Sequence, residues 1–246
     1  MQSLVDQLAD GKLSCHDCSL AELCLPRGLD PKEISQFESI VGQRAPLKRN
    51  ENIYRDGDRF RSLYAIKSGA VKLIASTPDE EDQIIGFSMP GELFGFDGIN
   101  KGHTCTAVAL ERTTICELPL DSVDEISRDV PSLHRELYRV MAREISADQS
   151  MLLLLARRAA EDRLITFLVN LSKRFSDRNF SKTQFNLPMS RHDIANYLGL
   201  APETVSRLFG RLTDLGLIAV EGRHIDLIDL AELHKRVDSR SLERVP

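Results

Sequence analysis

The stretch SRHDIANYLGLAPETVSRLFGRLTDL, which runs from Ser190 to Leu215, indicates two helices separated by a tight turn. Ser190 is followed three residues later by an acidic residue, which is a helix N-cap signature, and the first helix is predicted to run through Tyr197. Gly199 breaks this helix, and an amphipathic helix follows from Pro202 to Leu215. Two helices joined by a short glycine-containing turn predict a helix-turn-helix.

The second helix of the pair has an apolar face and a polar face. Its inward positions are predicted to be Val205, Leu208, Phe209 and Leu212. The N-terminal half of this helix contacts base edges in helix-turn-helix proteins, so four polar side chains of the opposite face are the predicted DNA-binding residues: Glu203, Ser206, Arg207 and Arg211. The alternating segments 216–220 and 225–228 surround a Gly-containing turn and predict a β-hairpin, the wing of a winged helix-turn-helix.

The charge distribution agrees with a double-stranded DNA partner at the C-terminal end. The whole chain has a formal net charge of -5, whereas residues 157–246 hold 15 Lys and Arg against 12 Asp and Glu. A mildly basic third is therefore joined to an acidic body. A helix is predicted from Ala160 to Phe175, and its basic end, residues 173–178, is either a solvated last turn or an edge that contacts phosphate.

The segment from Pro131 to Ala156 has apolar residues every three or four positions, which predicts one long helix. These apolar positions form a seam along one face of the helix, with the spacing of a helix-pair interface, and the seam also contains one acidic residue. The seam residues are Leu137, Met141, Ile145, Asp148, Leu152 and Leu155. In one interpretation the helix packs on its own barrel, and Asp148 reaches solvent or a cation such as Arg143 or Arg157. In the other, two copies of the helix pair across a dimer axis, and the two Asp148 carboxylates oppose association.

The region from Arg44 to Leu120 has short alternating segments about every ten residues, separated by glycine turns. This pattern predicts a small antiparallel barrel or jelly roll. Before it, Asp30-Pro31-Lys32-Glu33 is typical of a helix start, and the helix is predicted to end near Val41.

Three cysteines near the N-terminus, Cys15, Cys18 and Cys24, have the x2 and x5 spacing of metal ligands. An iron–sulfur cubane needs a fourth thiolate. Cys116, in a segment with strand alternation, is the first candidate and Cys105 the second. Alternatively His16 completes a zinc site, or the thiols are free or disulfide-bonded without metal. The chain shows no signal peptide and no apolar run of membrane length, so we expect no membrane association and a cytoplasmic location where thiols stay reduced.

Segments 62–69 and 89–95 resemble the cyclic-nucleotide-binding barrel. In members that bind a nucleotide, a Glu holds the ribose and an Arg holds the cyclic phosphate. Here Phe96 occupies the Glu position, and no arginine occurs between Ile99 and Leu110. A phosphate without a cationic partner would bind weakly, so we expect no cyclic nucleotide.

The cysteine spacing, the strand that contains Cys116, the barrel and three further segments, 148–154, 196–200 and 203–207, together resemble the FNR (fumarate and nitrate reduction regulator) branch of the CRP/FNR superfamily. The resemblance implies an α+β fold in four parts. These are a cluster-binding segment (1–29), a β-barrel sensor domain (30–130), a long dimerisation helix (131–158) and a winged helix-turn-helix domain (159–246).

The resemblance also implies an oxygen-responsive transcription regulator. A 4Fe-4S cluster would be held by Cys15, Cys18, Cys24 and Cys116. The cluster-bound homodimer would bind palindromic DNA with TTGAT half-sites, read by Glu203, Ser206 and Arg207. Oxygen would destroy the cluster and favour an inactive monomer. Asp148 would be the interface acid, and residues 76–82 would lie where relatives contact RNA polymerase.

Two other functions remain open at this point: a zinc or thiol-switch regulator of the same fold, and an iron–sulfur electron carrier or enzyme. The sequence lacks a second cluster motif, a Gly-rich dinucleotide loop and a nucleophile paired with a base, so an enzyme is not expected. The histidines His103, His134, His192 and His224 are scattered and are interpreted as surface or capping residues. Cys105 is interpreted as a small buried hydrophobic residue.

Overall fold

The computed structural model describes residues 14–76 and 82–242 of the chain. The helices in this part are α1 (Pro31–Glu38), α2 (Leu120–Asp129), α3 (Pro131–Arg157), α4 (Ala160–Ser176), α5 (Arg191–Leu198), α6 (Pro202–Asp214) and α7 (Leu230–Leu242). The strands are β1 (Gly42–Gln43), β2 (Asn52–Tyr54), β3 (Ser62–Ser68), β4 (Val71–Ser76), β5 (Asp82–Ser88), β6 (Leu93–Phe94), β7 (Thr106–Ala109), β8 (Thr114–Pro119), β9 (Gln184–Asn186), β10 (Ile218–Glu221) and β11 (His224–Leu227).

Strands β1 to β8 form two four-stranded antiparallel sheets with the orders β1-β8-β3-β6 and β2-β7-β4-β5. Both sheets contribute to one apolar interior, in which Ile66 of β3 meets Val71 of β4 and Ala107 of β7. The predicted jelly roll and the α+β class are therefore confirmed.

The two-residue period of strands gives β3 and β8 a second buried face. Tyr64 and Ile66 point into the barrel, whereas Leu63 and Ala65 point outward. The outward residues pack in a second core with the cysteine loop (residues 14–29), α1, α2 and the N-terminal half of α3. The sheet therefore separates the barrel interior from the core in which the N-terminal cysteines lie.

Helix α1 begins as predicted, because Asp30 accepts hydrogen bonds from two backbone N–H groups and completes a capping box with Glu33. It ends at Glu38 and not near Val41. After Glu38 the backbone continues in turns, in which Ile40 N–H donates to the Phe37 carbonyl and Val41 N–H to the Glu38 carbonyl. The predicted long helix and the helix-turn-helix pair agree with α3, α5 and α6 to within about two residues.

The DNA-binding part combines helices α4 to α7 with the small sheet β10-β11-β9. The hairpin of β10 and β11 is the predicted wing. The sequence analysis did not identify α2, α7 or β9. The inward residues predicted for α6 pack with Leu164 and Leu168 of α4 in one core. This core also includes barrel residues such as Ile84, Phe87 and Met89. The barrel and the DNA-binding part thus pack against each other.

Arg174 and Arg178, at the end of α4, contact the barrel. The interpretation of residues 173–178 as a solvated or phosphate-contacting edge is therefore corrected. Arg174 donates to Glu92 Oε1 at 3.0 Å, and Arg178 donates to Glu92 Oε1 and to the Pro90 carbonyl, both at 2.6 Å. The Arg178 side chain is only 3 % exposed. These guanidinium groups are directed at the barrel, because Glu92 supplies the counter-charge there. Of the three basic residues in this segment, only Lys173 is exposed.

Candidate functional site

The cysteine loop is a series of backbone turns. Ala21 N–H donates to the Cys18 carbonyl at 3.0 Å, and Cys24 N–H donates to the Leu20 carbonyl at 3.1 Å. Cys15 N–H donates to Glu38 Oε2 of α1 at 2.8 Å, which fixes the start of the loop. Because the loop curls on itself in this way, Cys15, Cys18 and Cys24 all line one cavity.

Cys116 lines the same cavity from the barrel side. Its neighbour Ile115 points into the barrel, so the strand period turns Cys116 outward. Cys116 lies opposite Ala65 of β3 in the strand register, and Ala65 also lines the cavity. The remaining walls are mainly apolar and are formed by Leu20, Ala21, Pro26, Phe37, Val41 and Leu118.

Cys105 is not among the cavity residues, because it lies inside the barrel. It is buried among apolar residues, as expected, but its thiol has polar partners. Its thiol donates to Asp97 Oδ2 at 3.4 Å, and Asp97 also lies 3.3 Å from Nδ1 of His103. His103 is only 3 % exposed, so its interpretation as a surface or capping residue is wrong. No sequence pattern indicates this contact, because only the barrel fold brings Asp97 and His103 together.

Burial controls the protonation of the cavity thiols. It raises the pKa of Cys15 and of Cys24 to about 12 and that of Cys116 to about 11, and neighbouring thiols add to the effect. The ammonium of Lys67, which also lines the cavity, opposes the increase at Cys15 and Cys116. In the protein alone the thiols of Cys15, Cys24 and Cys116 are therefore protonated at neutral pH, and a bound cation would be needed to hold them as thiolates.

The donor set of the cavity suits an iron–sulfur cluster, because four thiols surround one apolar space. Within residues 14–76 and 82–242, no three His, Cys, Asp or Glu side chains are arranged to hold a single metal ion. A cluster differs from one ion in that it needs thiolates spread around several iron atoms. His16 does not line the cavity; it is exposed, and its Nε2 lies 3.1 Å from Ser35 Oγ.

Helix α6 presents all four predicted DNA-binding residues to solvent, while Val205, Phe209 and Leu212 are buried beneath them. Arg207 donates to Thr204 Oγ1 at 3.3 Å, and Arg211 lies 3.3 Å from the Glu161 carboxylate of α4. The sequence analysis missed these two supporting residues, since neither lies on the predicted outer face.

Two contacts hold the first turn of helix α5 in place. Ser190 and Asp193 form the capping box that the sequence predicts. Asp193 also accepts from Lys72 of β4 at 2.7 Å, so the helix that supports α6 is tied to the barrel.

The seam of α3 differs along its length. Leu137 packs against the core of the cysteine loop, and Met141 and Leu155 are partly buried. Ile145 and Leu152 are 56 % and 68 % exposed. Asp148 is also exposed, partial desolvation raises its pKa, and it forms no ion pair with any side chain that the structure describes.

Comparisons with known proteins agree with this architecture. The family described as "Crp-like helix-turn-helix domain" matches residues 162–236, and "Cyclic nucleotide-binding domain" matches residues 44–129. The chain is 47% identical over 234 residues to the transcriptional activator protein Anr of Pseudomonas protegens, covering 95% of this chain and 96% of that protein. The chain belongs to the FNR branch of the CRP/FNR family.

Two further relatives of this FNR-family chain show how far the likeness extends. The fumarate and nitrate reduction regulatory protein of Escherichia coli is 43% identical over 216 residues, which cover 87% of this chain and 86% of that one. The solved structure of FixK2 from Bradyrhizobium japonicum has a TM-score of 0.73 and 29% identity, and covers 80% of this chain and 96% of that chain.

The FNR-family chain is therefore a transcription regulator with a DNA-binding helix-turn-helix, and it is not an enzyme. The prediction of its family and its fold is confirmed. Within the two described ranges, no helix combines the length and the apolarity that a membrane crossing needs.

Proposed function

We propose that this protein is an oxygen-responsive activator of anaerobic gene expression that holds a 4Fe-4S cluster through Cys15, Cys18, Cys24 and Cys116. The observation that carries the proposal is the cavity, in which three thiols of the cysteine loop face a fourth thiol from β8. When bound, the cluster supplies an oxygen-labile iron–sulfur centre. The relatives named as a transcriptional activator and as a fumarate and nitrate reduction regulatory protein support the anaerobic role.

The protein's own residues connect this cavity to α3. Leu25 of the cysteine loop and Leu133 of α3 are both fully buried in the core that also includes Cys15. Ser132 Oγ donates to Glu33 Oε1 at 2.7 Å, which adds a polar contact between α3 and α1, the helix that follows the cysteine loop. An ordered cysteine loop therefore holds the N-terminal half of α3 in place.

The exposed part of α3 is the proposed homodimer interface. Ile145 and Leu152 expose apolar surface that a second copy would cover. Asp148 lies between them, and two such carboxylates at a symmetric interface repel each other. Such an interface is marginal, so a small change in the position of α3 shifts the balance between monomer and dimer.

The proposed DNA target is a palindrome with TTGAT half-sites. Arg207 suits bidentate contact with a guanine, Glu203 can accept from a cytosine amino group, and Ser206 can meet either kind of base. Arg211 is the predicted fourth contact. A symmetric dimer reads two half-sites about one helical turn, ~34 Å, apart. Because the target is DNA, we expect a cytoplasmic location.

We expect that the protein binds no cyclic nucleotide. The rings of Tyr54 and His103 stack with centroids 3.5 Å apart inside the barrel, and Tyr64 and Phe94 extend the stack. These aromatic side chains are buried in the barrel interior, and their packing supports the expectation that no cyclic nucleotide binds there. RNA polymerase remains a proposed partner through residues 76–82, of which 77–81 lie outside the described residues.

The experiment is a measurement of iron, acid-labile sulfide and zinc in protein purified without oxygen, together with DNA binding by fluorescence anisotropy. About four irons and four sulfides per chain, with preference for the TTGAT palindrome over a scrambled duplex, are expected. Zinc without sulfide would instead support the zinc regulator. A protein that contains iron and sulfide but binds both duplexes equally would show that the proposed TTGAT target is wrong.

A further inference from the structure

Lys67 is the charged residue of the cavity lining. The other lining residues are thiols, apolar side chains, Gly91 and Ser14. Lys67 is half-buried, and in residues 14–76 and 82–242 its ammonium forms no ion pair. Lys67 can therefore place a positive charge beside an anionic group that the four cysteines hold.

The strand geometry explains how Lys67 reaches this position. The register between β3 and β8 is regular from Ser62 to Ile66 and then shifts between Ile66 and Ser68. Lys67 is the extra residue of this β-bulge. The alternation that turns Leu63 and Ala65 outward places Lys67 on the same side of the sheet, where it borders the four cysteines.

The electrostatics support the same role. Lys67 lines the same cavity as Cys15, Cys18, Cys24 and Cys116, so a cluster held by these cysteines would lie beside its ammonium group. Four thiolates around an oxidised 4Fe-4S core leave a net charge of about -2, and the net charge near a cluster is among the factors that set its reduction potential.

We propose that Lys67 is a positioning residue for the cluster, whose ammonium offsets part of the negative charge of the four thiolates, strengthens iron retention and raises the reduction potential. This inference rests on the proposed function, since it needs a cluster in the cavity. It assigns to Lys67 a role that the cysteine motif alone does not contain.

The test compares Lys67→Met and Lys67→Gln, which remove the charge, with Lys67→Arg, which keeps it. Lys101→Met, at an exposed lysine away from the cavity, is the matched control for loss of one positive charge. All are prepared without oxygen. The readouts are the chelator concentration that removes half of the iron and the midpoint potential from a spectroscopic redox titration; circular dichroism selects the folded variants.

We expect Lys67→Met and Lys67→Gln to lose iron at a chelator concentration at least about threefold lower than wild type, with a more negative midpoint potential. Lys67→Arg and Lys101→Met should behave like wild type. Charge-free variants at Lys67 that match Lys101→Met in both readouts would overturn the inference while leaving the cluster assignment intact. A wild-type protein without iron and sulfide would overturn the proposed function, and the inference with it.

Discussion

Cys116 and Cys105 are the two cysteines outside the N-terminal motif, and the structure places them on different sides of the barrel wall. Cys116 faces the cavity of the cysteine loop, whereas Cys105 lies inside the barrel beside Asp97. Sequence spacing could rank these two candidates but could not decide between them, because the decision depends on which face of a strand each side chain takes.

The first prediction concerns this pair. Cys116→Ser should abolish or strongly reduce the cluster content of protein prepared without oxygen, since only three of the four thiols would remain. Cys105→Ser, the matched control, should keep full iron and sulfide content. The opposite ranking of the two variants in an iron and sulfide assay would show that the ligand assignment is wrong.

The second prediction concerns Arg207, which is exposed on α6 and contacts Thr204. Arg207→Ala should reduce discrimination at one guanine of the half-site by about 1 to 3 kcal/mol, because a bidentate contact with that base would be lost. The measurement is the affinity for a set of duplexes with single base changes. Arg211→Ala serves as a comparison at the same face.

An equal loss of affinity across all of these duplexes would mark Arg207 as a phosphate contact. The plot of log affinity against log salt concentration provides an independent check. If Arg207 contacts a phosphate, its replacement should make this plot less steep by about one.

At the scale of elements, α3 combines two functions that its periodicity could not separate. Leu137 packs within its own chain, whereas Ile145 and Leu152 are exposed. Both sets follow one helical period. The sequence therefore predicted a helix but could not show whether the helix packs on its own barrel or on a second copy of itself. The structure thus supports an intramolecular contact for the first half and a free surface around Ile145 and Leu152 in the second half.

The third prediction tests the free surface. Asp148→Ala should increase the dimer fraction in air severalfold, because it removes a carboxylate that would face its own copy. Sedimentation at several protein concentrations measures the change. Asp124→Ala, at an exposed acid of α2, removes the same charge from another helix and should leave the dimer fraction unchanged. Equal behaviour of the two variants would argue against the interface role of Asp148.

Elements with a strong local signal could be predicted, and those made by distant pairing could not. The capping boxes at Asp30 and Ser190 marked helix starts that the structure has. Strand β9 has only three residues and exists because it pairs with β11, to which the chain returns about forty residues later. Neither its length nor its composition separates it from a loop.

At the scale of the whole molecule, Glu92 joins the barrel to the DNA-binding part through Arg174 and Arg178. Burial opposes ionisation of Glu92, but the two guanidinium groups outweigh this effect and lower its pKa. The sequence could not reveal this contact, because more than eighty residues separate the acid from its partners and only the packed fold brings them together.

The fourth prediction follows from this network. Glu92→Gln should lower the free energy of unfolding by roughly 1 to 3 kcal/mol at neutral pH, because it leaves the buried Arg178 without its counter-charge. Glu111→Gln, at an exposed glutamate of the barrel, is the control. Denaturant unfolding followed by circular dichroism provides the measurement, and equal stabilities of the two variants would contradict the role of Glu92.

The same network predicts a pH dependence. A carboxylate whose pKa is lowered by folding stabilises the protein above its unfolded value, about 4.3 for glutamate, and this contribution is lost as the pH falls through the folded value. The stability difference between wild type and Glu92→Gln should therefore be largest near neutral pH and should shrink below about pH 4. A difference that grows toward acid pH would contradict this assignment.

We infer that a cluster held by four cysteines controls dimer formation through α3. The visible absorption spectrum of protein prepared without oxygen and then exposed to air, with sedimentation on both samples, tests this inference. We expect a broad band near ~420 nm that bleaches in air while dimer converts to monomer. A colourless protein that is indifferent to air would show that the inference is wrong, and so would bleaching without any change in the dimer fraction.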